Sequence, residues 1–297
     1  MKFPMNISVK NTAASIALAA AFCLVSCQEN TPIAPDKVAV NTETATDDII
    51  ASVPKKYTLT KWGDANLTYY PDGRLKRVMH GLDYRGNNNW FTNYTYAAGS
   101  IHALTFVGNS PLWDQTYTID VVTGRCTAYT GLKYLYSNST LTEKTALTYT
   151  YGATGRMKTS NDKVNPAIHT DYFYNAAGDL NRVMDYAMDY NAFAVYLKSD
   201  YKFAYDQPVG DPILADLYPL NSEYAYPPDP FLPIFGKQPK HLVKLITFGP
   251  SSGGLYYTYQ LNADGYVTQW QAFSLTTAAL VETKKYDYLV TSIGLGL

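Results

Sequence analysis

The chain has 297 residues, of which 46% are hydrophobic, and its formal net charge is −1. Without residues 1–26, which hold two lysines and no acid, the net charge becomes −3, from 22 basic and 25 acidic residues. That balance excludes a basic surface for nucleic acid, so no nucleic-acid partner is expected. Tyrosine is unusually frequent, with 28 Tyr against 11 Phe, and it favours half-buried β-sheet.

The amino-terminal segment predicts export. Lys2 and Lys10 form a positive segment that precedes an apolar stretch, residues 13–22, which is too short to span a bilayer and is typical of a secretory signal. It ends in Leu24-Val25-Ser26-Cys27, which resembles the lipobox of bacterial lipoproteins. The resemblance implies cleavage before Cys27, lipid on its thiol and new amino terminus, and a membrane as partner. The alternative is an ordinary signal peptide, residues 1–26, followed by a chance cysteine.

The next segment, residues 27–54, is interpreted as the lipidated cysteine and a flexible tether. Residues 28–53 contain no aromatic side chain and are rich in Thr, Asp, Asn and Pro, a composition that does not support a packed core. Residues 55–297 then remain as a single all-β domain.

Repeated tyrosine pairs followed by glycine organise that domain. Alternating Tyr-x-Tyr places two rings on one face of a strand, and the glycine supplies the positive φ that short hairpin turns require. We therefore predict an antiparallel meander of about 14–16 strands with no helix after residue 53, curved or closed into a barrel to protect its edges. The predicted turn glycines are Gly73, Gly99, Gly155, Gly178 and Gly265.

The units, such as Tyr172-Phe-Tyr174-Asn-Ala-Ala-Gly178-Asp-Leu180, resemble the tyrosine-aspartate repeats of secreted shell-forming proteins. More closely, the whole layout of lipobox, polar tether and irregular hairpins resembles a family of Bacteroidota lipoproteins of unknown function. That resemblance implies a porin-like, many-stranded antiparallel fold, and it brings no catalytic residues.

Residues 207–240 interrupt the repeats. They hold 8 of the 16 prolines, so they cannot extend a strand ladder, yet they include ten apolar side chains. We predict a packed, Pro-rich excursion that caps one end of the barrel or sheet, with a functional role or that of a structural lid.

Most motifs of chemical interest have a structural interpretation. The run from Gly249 to Gly253 matches G-x-S-x-G, but a strand follows it where a nucleophile elbow needs a helix. Asp185 and Asp189 lie about 13 Å apart along a predicted strand, too far for most paired-carboxylate glycosidases. Cys126 is expected to be a buried, inert thiol. The four histidines show no metal-ligand spacing and are expected on the surface or satisfied in the core, so we predict no metal and no cofactor; they are His80, His102, His169 and His241.

The tryptophans are the candidate ligand-stacking residues: Trp62, Trp90, Trp113 and Trp270. They fall near predicted turns or strand ends, where exposed rings would stack on sugars or hold a peptide; the alternative is that they fill the core.

The leading hypothesis is a non-catalytic, outer-membrane-anchored lipoprotein that binds a glycan or an envelope partner. A carbohydrate-active hydrolase, which would need two converging carboxylates, and a structural or adhesive lipoprotein are the alternatives. An integral porin ranks fourth, because charged residues lie within strands such as Arg74-Leu-Lys-Arg-Val78. Whether the domain faces the periplasm or the outside stays open.

Overall fold

The computed structural model describes residues 55–82, 90–135, 140–206, 212–213, 229–249 and 253–292. The signal segment, Cys27 and the tether at residues 27–54 lie outside these ranges, as does Ser251 of the G-x-S-x-G match. No helix within these ranges is long and apolar enough to cross a membrane.

The described residues form sixteen β-strands and no helix. The strands are β1 Lys55–Trp62, β2 Ala65–Tyr69, β3 Leu75–Met79, β4 Trp90–Ala97, β5 Ser100–Val107, β6 Ser110–Ile119, β7 Cys126–Tyr134, β8 Leu141–Tyr151, β9 Met157–Asp162, β10 His169–Tyr174, β11 Leu180–Asp189, β12 Ala194–Ala204, β13 Leu245–Gly249, β14 Gly254–Leu261, β15 Val267–Ser274 and β16 Leu280–Ser292.

Each strand pairs antiparallel with its neighbours in sequence, and β1 pairs with β16 to close the barrel. The register of the closing pair runs from Lys55 opposite Ser292 to Trp62 opposite Tyr286, with one bulge. Closure leaves no unpaired sheet edge. The predicted all-β meander of hairpins is confirmed, and of its two variants the closed barrel is the one formed.

The predicted turn glycines all adopt positive φ and each joins two antiparallel sequence neighbours. Their φ values are 84° at Gly73, 73° at Gly99, 83° at Gly155, 92° at Gly178 and 84° at Gly265. These turns follow even-numbered strands, as does the one at Gly124. Because strand direction alternates, all six turns lie at the same end of the barrel, which we call the glycine-turn end; β1 also begins there. The opposite end, where β1 ends and β4 begins, is called the tryptophan end.

The first tyrosine of each pair faces the barrel interior. Tyr94 and Tyr117 are 1% and 0% exposed, whereas their neighbours Thr95 and Thr116 are exposed on the outer wall. The buried rings, which include Tyr149, Tyr172 and Tyr257, form a core together with aliphatic side chains from both ends of the strands.

Further tyrosines at the glycine-turn end continue the pairing of strands beyond the last backbone pair. The hydroxyl of Tyr96 on β4 donates to the carbonyl of Leu75 on β3 at 2.8 Å, although backbone pairing of these strands ends at Arg77 and Asn93. The same pattern recurs on three more strand pairs, always to the carbonyl two residues after a turn glycine. The bonds are Tyr151 to Cys126 at 2.6 Å, Tyr205 to Leu180 at 2.8 Å and Tyr288 to Val267 at 2.8 Å.

Residues 229–244, called the plug here, fill the interior of the barrel. Barrels of 16 strands are wide enough to leave an aqueous channel, but here Phe235 packs edge-to-face against Tyr117 and Tyr149. The plug is fixed at the glycine-turn end by a β-bridge between Gly236 and Arg156. The described part of the Pro-rich excursion is therefore packed as predicted, but it enters the barrel interior where the sequence predicted a cap on one end.

A buried hydrogen-bonded pair, Asp179 and His241, completes this attachment. The carboxylate of Asp179 accepts hydrogen bonds from the backbone N–H groups of Lys240 and His241 and from the His241 ring, all at 2.8 Å. Burial alone would raise the pKa of this carboxyl, but these bonds outweigh it and hold the pKa below its usual value.

The outer wall of the barrel carries polar cross-strand pairs. Arg182 on β11 makes two hydrogen bonds to Asp200 on β12, at 2.7 and 2.9 Å, and the Arg182 hydrogen bond lowers the pKa of the Asp200 carboxyl. His102 on β5 bonds to Asp114 on β6 at 2.7 Å. Both pairs lie within the paired part of their strands, with the buried Val183 and Gln115 next to them pointing inward.

Candidate functional site

A cavity of about 220 Å³ opens inside the barrel at the tryptophan end. Its walls come from β1, β4, β5 and β6 and the residue after β3, and its inner boundary is the first part of the plug. The lining consists of aromatic rings and a few polar groups: Trp62, His80, Trp90, Thr92, Tyr94, Thr105, Trp113, Gln115, Asp229, Pro230 and Phe231.

Three of the four tryptophans predicted from sequence meet in this cavity. Trp62 is the last residue of β1, Trp90 the first of β4, and Trp113 lies near the start of β6, so all three belong to the same end of the barrel. Trp270 is instead 2% exposed in the core, where it packs edge-to-face against Tyr257; it does not line the cavity.

The three rings differ in how much of their surface is already occupied. Trp62 contacts Phe231 edge-on at 5.1 Å between centroids and carries the ammonium of Lys284 at 4.3 Å. Trp90 stacks on His80 at 4.7 Å. Trp113 makes no contact with another ring or cation among the described residues. Its ring is therefore the one of the three that is best placed to stack on a ligand.

A chain of short hydrogen bonds forms one polar side of the cavity. His80 Nε2 bonds to Thr92 Oγ1 at 2.7 Å, and Thr92 Oγ1 bonds to Thr105 Oγ1 at 2.8 Å. Burial lowers the pKa of His80 to about 4, so its imidazole is neutral at physiological pH. The indole N–H of Trp90 is buried and has no acceptor within the described part of the chain.

Asp229 supplies the only carboxylate among the described lining residues. Its Oδ2 accepts the Tyr94 hydroxyl at 2.6 Å, and its Oδ1 accepts the backbone N–H of Phe231 at 2.8 Å. Burial raises the pKa of this carboxyl to about 6, and the hydrogen bonds from Tyr94 and the backbone offset only part of the shift. Asp229 therefore anchors the plug to the wall and leaves a mostly ionised acid in the cavity near pH 7.

The other sequence candidates have structural roles. His102 pairs with Asp114, His169 stacks on Tyr186 at 4.5 Å, and His241 bonds to Asp179, so these three histidines make structural contacts, whereas His80 lines the cavity. No group of three or more His, Cys, Asp or Glu side chains is placed to hold a metal ion in the ranges that the structure covers.

The remaining motifs also lack convergent chemistry. Asp185 bonds to Thr170 and lies 3.4 Å from Lys198, while Asp189 caps the β11–β12 turn. Gly249 and Gly254 belong to β13 and β14, which pair antiparallel, so a strand follows the G-x-S-x-G match as predicted. Cys126 is fully buried, and burial raises the pKa of its thiol to about 12.

Sequence reasoning missed the polar half of the site. Thr92 and Thr105 are indistinguishable from the many other strand threonines, and His80 was treated as one of four isolated histidines. Asp229 stands between prolines in Pro227-Pro228-Asp229-Pro230, where nothing marks it as buried. Only tertiary folding of the plug into the barrel brings Asp229 next to the tryptophans.

The comparisons with known proteins concern the fold. No protein-family profile matches the chain, and no curated protein matches it. Among solved structures, a porin-like protein from Bacteroides vulgatus aligns with a TM-score of 0.54 at 17% identity, covering 79% of this chain and 99% of that one. A porin-like protein from Bacteroides uniformis aligns with a TM-score of 0.46 at 16% identity, covering 81% and 92%. The first likeness confirms the porin-like fold that the sequence resemblance implied, and membership of the lipoprotein family and kinship with tyrosine-aspartate repeats stay predictions.

Proposed function

We propose that this protein is a binding protein of the bacterial cell envelope, anchored by lipid in the outer membrane, and that its tryptophan-end cavity holds one saccharide ring. The observation that carries the proposal is the convergence of Trp62, Trp90 and Trp113 with buried polar groups in one cavity. Aromatic faces pack against the C–H face of a sugar, while a few fixed polar groups orient its hydroxyls, the usual composition of small-ligand sites.

The size of the cavity limits the ligand. Pockets for drug-sized ligands start at about 300 Å³, and this one measures about 220 Å³. A single ring, either free or at the end of a longer glycan, matches that volume better than an internal stretch of an oligosaccharide.

Anchoring by lipid, in place of a barrel embedded in the bilayer, is supported by the outer wall. A membrane-spanning barrel presents an apolar band bordered by aromatic girdles, whereas here the charged and polar pairs Arg182–Asp200 and His102–Asp114 lie within the strands on the outward face. The chain enters the barrel through Lys55 at the glycine-turn end.

Hydrolysis is the second candidate function. Glycoside hydrolases use a pair of carboxylates about 5–9.5 Å apart, and the described lining of the cavity contributes Asp229 alone. Binding is therefore the function that this cavity supports best.

The test is a binding titration with neutral monosaccharides and short oligosaccharides. Tryptophan fluorescence and calorimetry monitor the binding. Trp113→Ala should weaken binding by about tenfold, the loss expected for one stacking face. Tyr256→Ala is the matched control, because Tyr256 stacks on Phe273 at 4.9 Å on the outer wall and should leave affinity unchanged.

Two results would contradict the proposal. Equal affinity in Trp113→Ala and the unsubstituted protein would place the ligand elsewhere. Release of reducing ends during the incubation would favour the hydrolase.

A further inference from the structure

The charge on the described lining residues of the tryptophan-end cavity is one-sided; the Lys284 ammonium, which is not part of the lining, lies on the Trp62 ring and 3.3 Å from Glu282. Asp229 brings a negative charge, and it has no Lys, Arg or protonated His partner in the described part of the chain; its partners are the Tyr94 hydroxyl and the backbone N–H groups of Phe231 and Leu232. His80, the other titratable group in the lining besides tyrosine, is kept neutral because burial lowers its pKa to about 4.

An ionised carboxylate in a water-poor cavity is costly unless a positive charge pairs with it. A carboxylate also has about four acceptor positions, so the partners named above leave capacity for another donor. The aromatic walls also favour a cationic ligand, because the faces of tryptophan rings attract ammonium groups.

Trp113 offers a further contact for the ligand. Its ring lines the cavity and has no ring or cation partner among the described residues, so it is the lining ring whose contacts leave most room for a cation or a sugar.

We infer that the ligand of this cavity carries a positively charged nitrogen that pairs with Asp229, and that the bound saccharide ring is an amino sugar with a free ammonium group. The second half of this statement rests on the saccharide proposal above; the first half depends only on the cavity. Tyr94 then acts as a positioning residue, because its hydroxyl orients the carboxylate toward the ligand.

The test compares glucosamine, glucose, N-acetylglucosamine and tetramethylammonium by calorimetry at about pH 7. Glucosamine should bind about tenfold or more tightly than glucose or its neutral N-acetyl derivative, the gain expected for a charge-assisted hydrogen bond. Asp229→Asn should remove that preference, and the plug should stay attached because the Asn oxygen can accept the Phe231 N–H while the Asn amide group donates to the Tyr94 hydroxyl oxygen.

Two further variants keep the result interpretable. Asp114→Asn changes an acid on β6 that faces the outer wall and bonds His102, so the preference for glucosamine should persist. Tyr94→Phe removes the hydroxyl that bonds the Asp229 carboxylate and helps to lower its pKa, so it should weaken the preference for glucosamine and gives a second test if Asp229→Asn proves poorly folded.

The outcomes separate the two proposals. Equal binding of glucosamine and glucose, reduced by Trp113→Ala, would overturn the cation and keep the saccharide site. Binding of tetramethylammonium alone, lost in Asp229→Asn, would overturn the saccharide and keep the cation. Loss of the preference in Asp114→Asn, or its persistence in Asp229→Asn, would overturn the pairing with Asp229.

Discussion

The two ends of the barrel are built on different principles. At the glycine-turn end the same device recurs: a glycine at positive φ, then a tyrosine hydroxyl that reaches the carbonyl two residues after a turn glycine. At the tryptophan end nothing repeats, and three tryptophans, two threonines and a buried acid come from separate strands and from the plug. Repetition at one end supplies stability, and its absence at the other leaves room for a specific cavity.

Substitution of glycine at the glycine-turn end gives the largest expected effect. A Cβ on Gly236 would lie 2.6 Å from the carbonyl oxygen of Gly155, in backbone that has little freedom to move, and its φ is +84°. Gly265 has the same φ, but no atom lies within 4 Å of the position that a Cβ would take there. Gly236→Ala should therefore cost about 3 kcal/mol or more, and Gly265→Ala about 1 kcal/mol.

Urea unfolding of both variants measures the difference. Both variants place alanine at a positive φ, so the backbone strain is the same in each. The additional loss of unfolding free energy in Gly236→Ala therefore measures the close approach of the plug to the barrel. Equal costs would mean that the plug is not held against Gly155.

The fold was predictable from sequence because its signals are local. Each Tyr-x-Tyr pair and its glycine lie within about a dozen residues, and short hairpins are determined by such neighbours. Closure between β1 and β16 and the entry of the plug depend on contacts between residues that are far apart in sequence, which no local pattern encodes. The tryptophans were found by residue type alone, and Asp229 was not found, since its burial is a consequence of the plug.

Asp229 gives the second prediction, on pH dependence. Its folded pKa is about 6 against an ordinary value of 3.8, so between these values the folded protein binds more protons than the unfolded chain. Stability must therefore fall as pH rises through this window. Compared with Asp229→Asn, the unsubstituted protein should lose up to about 3 kcal/mol of unfolding free energy between about pH 3 and pH 7.

Asp200 on the outer wall should contribute a pH dependence of stability with the opposite sign. The Arg182 hydrogen bond lowers the pKa of its carboxyl, so its contribution is present above the unfolded pKa and is lost as pH falls. The difference between the unsubstituted protein and Asp200→Asn should increase with pH. Denaturant midpoints of both variants across the pH range test this, and slopes of the same sign would show that Asp229 is not buried as an acid.

The smallest expected effect concerns two tyrosine hydroxyls. Tyr151 donates to the carbonyl of Cys126 at 2.6 Å, beyond the last backbone pair of β7 and β8, whereas the buried hydroxyl of Tyr117 has no partner in the described structure. Tyr151→Phe should cost about 1 kcal/mol, because it removes a hydrogen bond and leaves a carbonyl unsatisfied. Tyr117→Phe should be neutral or stabilising, because it removes an unpaired buried hydroxyl and keeps the ring. Thermal unfolding of the two variants measures the difference, and an equal loss in both would mean that the tyrosine-to-carbonyl bond does not stabilise the glycine-turn end more than an unpaired hydroxyl does.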